Sequence, residues 1–93
     1  MKEACESPKS IDDILAQRRT THGDFTDHAR ITQALKDIMH SEDGWSRLSP
    51  VHREALEMVV HKIGRVLAGN PNIKDHFDDI AGYSKLVSQR IVE

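Results

Sequence analysis

Two pairs of polar residues stand at a spacing that could do chemistry. Glu54 and Glu57 form an E-x-x-E pair, and His76 and Asp79 form an H-x-x-D pair, with eighteen residues between Glu57 and His76. Side chains three or four apart are neighbours on a helix surface. Two antiparallel helices could therefore bring the pairs together. Carboxylates so placed can hold a hard divalent ion such as Mg²⁺, which takes oxygen ligands and keeps several waters. Such an ion could bridge phosphate oxygens and orient a water.

On a wheel of about 100° per residue, Glu54, Glu57, His61 and Arg65 share one polar sector. Glu57 and His61, four apart, can meet each other, and Lys62 lies near the far edge of the apolar face. His61, Lys62 and Arg65 could answer phosphate charge. On the next helix His76, Asp79, Tyr83 and Arg90 cluster beside the apolar face, and Tyr83 could stack on a base or bond a sugar. The sequence thus nominates Glu54, Glu57 and Asp79 as catalytic, the same three with His76 as metal ligands, and His61, Lys62, Arg65 and Tyr83 as substrate contacts.

Each nominee also has a structural role open to it. Asp75 and Asp78, with the other acids of that helix start, suit its dipole, worth about 0.3–1 kcal/mol each. Asp79 could accept a hydrogen bond from His61, Lys62 or Arg65 across the helix pair. His76 could be a helix-start side chain. Gly82, in mid-helix, costs about 1 kcal/mol relative to Ala; close helix approach, including a subunit contact, is the cheapest reason for it. In "THGDF", a turn and a cap account for Gly23 and Asp24, which leaves His22 free to reach a site.

Four helices would position these residues. Ser10 with Asp13 opens the first, which is predicted to run to about Arg19. Asp24 caps a second over about 25–40, and "SEDGWSRLSP" forms a loop whose Trp45 and Leu48 tuck onto the core. Ser49 and Pro50 suit the N-cap and first turn of the third. Its apolar face is Leu56, Val59, Val60, Ile63, Val66 and Leu67, Gly69 stands where a left-handed C-cap belongs, and Pro71 blocks continuation. The fourth starts near Lys74 or Asp75, with Phe77, Ile80, Ala81, Ser84, Val87 and Ile91 inward. No strand pattern, repeat or low-complexity tract interrupts this. The expected fold is all-α, a small bundle of about four helices in one domain over 10–93, after a flexible lead-in over 1–9.

A chain of 93 residues buries only about 60–65% of its unfolded surface, so an isolated fold is marginal and a homo-oligomer is expected. A net charge of −2 does not suit non-specific binding to nucleic acid or anionic membrane. No apolar run approaches the ~20 residues of a membrane span. The single cysteine, Cys5, provides no disulfide framework and fits a reducing cytosol. No phosphate loop or zinc spacing is present. A soluble intracellular protein is expected.

Over "THGDF…ITQALK…LSPVHREALEMVVHKIGRVLAGNP…HFDDIAGYSKL", from about Ile11 to Ile91, the chain resembles a family of small, mostly uncharacterised phage and prophage proteins. More distantly, the polar pairs resemble the all-α, oligomeric nucleoside triphosphate pyrophosphohydrolases of the MazG type. That resemblance implies Mg²⁺-dependent cleavage between the α- and β-phosphates, in a bacterial host cytoplasm if phage-encoded. Glu54 and Glu57 fit the first pair and Asp79 the last acid, whereas His76 stands where the pattern has Glu. Histidine suits Zn²⁺, Mn²⁺ or iron better than Mg²⁺. The expected cofactor is Mg²⁺ or Mn²⁺. The expected function is nucleotide binding with hydrolysis of a nucleoside triphosphate to monophosphate and pyrophosphate. The alternatives are an oligomer that sequesters a nucleotide or a nucleotide-like host defence signal, and a protein-interaction module with no small-molecule site.

Overall fold

The caps read from the sequence do their work at the helix starts. In a computed structural model, which describes residues 10–93, α1 spans Ile11–His22, α2 Phe25–Ser41, α3 Pro50–Ala68 and α4 Lys74–Ser88, with a short 3₁₀ turn at Asp43–Arg47 before α3. The predicted lead-in and Cys5 lie outside the described residues. Ser10, Asp24 and Ser49 each accept from a backbone N–H of the first turn, at 3.1, 2.8 and 3.3 Å. These bonds satisfy donors that a helix start leaves free. No strand occurs among the described residues. The all-α expectation is met.

Two helix ends differ from expectation. The first helix continues past Arg19 to His22 and ends only at Gly23, whose φ of +81° few residues other than glycine tolerate. Gly69 is not left-handed; its φ is −121°. Its lack of a side chain serves proximity instead. A Cβ there would fall 2.5 Å from the His22 carbonyl carbon and 2.6 Å from the Gly23 nitrogen. The α1–α2 turn and the end of α3 thus touch backbone to backbone, and the Asn70 N–H donates to the Thr21 carbonyl at 3.2 Å.

α3 is the common neighbour, packed along α2 and α4, with α1 reaching mainly α2 and α3. Gly64 lets α2 come close, since a Cβ there would meet Thr32 Cγ2 at 2.6 Å. Trp45 in the 3₁₀ turn packs on His40, ring centroids 4.8 Å apart, and accepts Arg53 on its carbonyl. Leu48 is likewise half-buried, so both side chains tuck in as expected.

The apolar faces are covered less than their patterns imply. Among the described residues Ala55 and Val60 are the buried apolar side chains; Thr32, Lys62 and His76 are the buried polar ones. Leu56 and Leu67 of α3 are exposed, as are Phe77, Ala81 and Ser84 of α4 and Ile91 beyond its end. The covered flank of α4 is His76, Ile80, Tyr83 and Val87. A Cβ on Gly82 would meet nothing within 4 Å, so no close helix approach within the chain accounts for that glycine. The radius of gyration is 16.9 Å, against roughly 12 Å for a compact domain of this length.

Candidate functional site

A polar seam runs along α3. On its α4 side, the Lys62 ammonium is only 8% exposed and donates to Asp79 Oδ2 at 2.9 Å. That bond, with the nearby charges of Lys62 and Arg65, holds the Asp79 carboxyl below its usual range. The other Asp79 face borders an open groove with Asp78, Gly82, Tyr83 and Leu86. Lys62 was expected at the edge of an apolar face. It is buried because an ion pair across the helices places its head under α4 while its stem packs against the seam.

His76 is also buried. Its Nε2 lies 3.3 Å from the Thr21 carbonyl, to which it donates, so the start of α4 is tied to the end of α1. The His22 ring stands edge-on to it, centroids 5.5 Å apart. His22 therefore does reach the seam.

On the α2 side, Glu57 accepts from His40 Nε2 at 2.7 Å, and Lys36 donates to His61 Nε2 at 3.0 Å. Glu57 and His61 each find a partner on α2 rather than relying on one another. The His61 and His28 rings lie 5.7 Å apart. Burial lowers the pKa of both below the ordinary 6.5, and the charges of Lys36 and Arg65 lower it further. His22 is lowered in the same way, by burial and then Arg65. Each ring is held towards its neutral form because protonation would add charge to an already basic neighbourhood.

Glu54 is exposed beside Tyr83 and Arg90, in a shallow groove with Pro50 and Val51. The four expected metal ligands thus part company: Glu57 goes to α2, Asp79 to Lys62, His76 to a backbone carbonyl, and Glu54 to an outer groove. Among the described residues no three His, Cys, Asp or Glu side chains are gathered to hold a metal ion. Within one chain the quartet does not form an octahedral oxygen site.

Sequence reasoning missed Arg18, Phe25 and His28. With Leu15, His22, Gly23 and Arg65 they line a cavity of about 260 Å³ between α1, the start of α2 and the end of α3. Their only sequence signal is the glycine in "HGDF", which allows the turn that folds α1 back over α3.

No helix of the described residues is long and apolar enough to cross a membrane. No curated protein and no solved structure matches the chain. A family model does match it over residues 9–91. The chain therefore belongs to the DUF6378 family, a domain of unknown function.

Proposed function

We propose that the protein is a homo-oligomer that binds a nucleotide or nucleotide-like phosphate compound on the polar seam of α3 and α4. The observation that carries this reading is where burial goes. Among the described residues two apolar side chains are buried, and Lys62 and His76 are covered as fully. Burying the Lys62 side chain costs free energy that the half-exposed Asp79 carboxylate offsets only in part, so stability alone is a weak reason to keep it there. Ionisable groups held out of water beside an open groove are a usual mark of a binding site. Lys62 and Arg65 would meet phosphate oxygens, Asp79 would orient Lys62, and Tyr83 would offer a ring at the groove.

The homo-oligomer rests on surface. Among the described residues Ile11, Leu15, Phe25, Ile38, Leu67 and Phe77 are exposed large apolar side chains, surface that a second copy would cover. Phage origin and a bacterial host cytoplasm rest on the sequence resemblance alone. No catalytic step is drawn through a metal, because the four ligands do not converge in one chain.

The test is thermal melting with a panel of ribo- and deoxyribonucleoside triphosphates, in EDTA, Mg²⁺ or Mn²⁺, beside a pyrophosphate-release assay. A metal-independent rise in Tm, lost in Arg65→Gln and without turnover, is expected. Pyrophosphate release abolished by Asp79→Ala would replace binding with hydrolysis. No shift with any nucleotide would remove the reading.

A further inference from the structure

The cavity beside α1 gathers two guanidinium groups and two histidines. Arg18 and His22 come from α1, His28 from α2 and Arg65 from α3. None of the described residues lining it is acidic, although the chain carries 15 acidic residues against 13 basic ones. Bringing like charges together costs free energy that solvent only partly relieves, and an anion between them reverses the sign. The opposite wall is apolar, with Leu15 and Phe25, and the Phe25 ring stacks on His28 at 6.3 Å between centroids. Both are exposed, so this wall is open to a ligand. The His28 Nδ1 atom is buried without a hydrogen-bond partner, against α3 at Gly64, which fixes the ring plane. Behind the cavity the backbones of the α1–α2 turn and the end of α3 are in contact, so its floor is rigid.

We propose that this cavity is a binding site for a phosphate group carried on an apolar or aromatic body. Arg18 and Arg65 close on the phosphate oxygens, as guanidinium groups do with planar donor geometry. Leu15 and Phe25 cover the body, and His22 and His28 complete the rim. The site goes beyond the α3–α4 groove. Arg65 lines this cavity and not the groove, although its charge reaches Asp79, and the cavity depends on α1, which the groove does not use.

A charge consequence follows from the neighbours. The groups acting on His22, His28 and His61 are Arg18 on α1, Lys36 on α2, Glu57 and Arg65 on α3, and His76 on α4. Glu57 and the backbone groups of Arg18 and Gly64 favour protonation of these rings, while the charges of Arg18, Lys36 and Arg65, and the neighbouring His28 and His76, disfavour it. A bound phosphate dianion opposes that field, so its binding favours the protonated form of these rings.

The probes are inorganic phosphate, phenyl phosphate and a nucleoside monophosphate, followed through the histidine ring resonances from pH 5.5 to 8. Saturable shifts of His22 and His28 are expected, with phenyl phosphate binding more tightly than inorganic phosphate and with the ring pKa values raised in the bound state. Arg18→Gln, at an exposed position that leaves the fold intact, weakens all three about tenfold or more. Phe25→Ala removes only the preference for phenyl phosphate. If no probe moves these rings, or Arg18→Gln changes nothing, the proposal is overturned. Should nucleotides still bind in an Arg65-dependent manner that ignores Arg18, the groove reading stands and the α1 site falls. If the probes bind through Arg18 while Asp79→Ala and Lys62→Met leave every affinity unchanged, the α1 site stands and the groove reading falls.

Discussion

The polar seam and the apolar rim of this chain reverse the usual order. The seam holds Thr32, Lys62 and His76 under cover, tied by Lys62–Asp79, His76–Thr21 and the contact between Gly23 and Gly69. The rim leaves Ile11, Leu15, Phe25, Ile38, Leu67 and Phe77 in water. Ordinary globular domains put such side chains inside and are stabilised by them. Here specific contacts fix the arrangement of the helices, while side chains such as Ile31, Leu35, Ile63 and Val66 are only half-buried and a large apolar rim stays in water. The contacts that set fold geometry thus lie in the seam, and much of the surface that could add stability lies outside it.

The comparison can be broken most forcibly at Gly23. A Cβ there would lie 2.0 Å from the Ala68 carbonyl oxygen, on a backbone with φ +81°. Gly23→Ala should cost about 3 kcal/mol or more through overpacking and strain together. Urea denaturation measures it, and a loss below ~1 kcal/mol would show that the seam does not fix the fold.

Acid attacks the same seam less severely. His22, His28 and His61 titrate below 6.5 in the fold. The unfolded chain therefore binds more protons between the two values, and stability, full above pH 6.5, declines as pH falls through that window. Asp79, also lowered, contributes stability above its ordinary 3.8 that is lost only at more acid pH. The urea midpoint should drop between pH 7 and 5.5, and high phosphate should restore part of it. At neutral pH, Asp79→Ala should destabilise more than Lys62→Met. The first leaves a buried ammonium without its partner, while the second removes the charge.

Gly82 offers the contrast to Gly23. Nothing stands within 4 Å of its Cβ position, so Gly82→Ala should gain up to about 1 kcal/mol from helix propensity. A loss combined with dissociation on a sizing column would place Gly82 in a subunit contact. The smallest effect belongs to the rim. In a monomer, Leu67→Ser or Phe77→Ser changes stability by no more than about 0.5 kcal/mol. In an oligomer the same changes make Tm depend on protein concentration, which melting curves at two concentrations would reveal.

Much of the helical frame was legible because capping is local. Ser10, Asp24, Ser49 and Pro50 act on residues two to four positions away, and each start was readable from a few letters. The covered face of α4 was not. A wheel weighs hydrophobicity and puts Phe77 inside, but the group facing the start of α4 is the Thr21 carbonyl, whose second lone pair, beside the Asn70 N–H, accepts from His76. Lys62 lies near the edge of the apolar face, as expected, and its pairing with Asp79 was among the readings the sequence allowed. The partners that Glu57 and His76 take, His40 and the Thr21 carbonyl, were not. Arg18 and His28 share a cavity with Arg65 because the α1–α2 turn rests on the end of α3, and no periodicity encodes that contact.

That loop contact has a consequence for how the chain can change length. The Thr21 carbonyl receives both Asn70 N–H and His76, and Gly23 and Gly69 leave no room between their backbones. One extra residue in either turn would shift the other out of register, so the two turns should evolve as a single unit of fixed length. The 42–48 connection has no such counterpart on a distant loop. It is the place to open the chain for a circular permutant, to graft a reporter peptide, or to find natural insertions when family members are aligned.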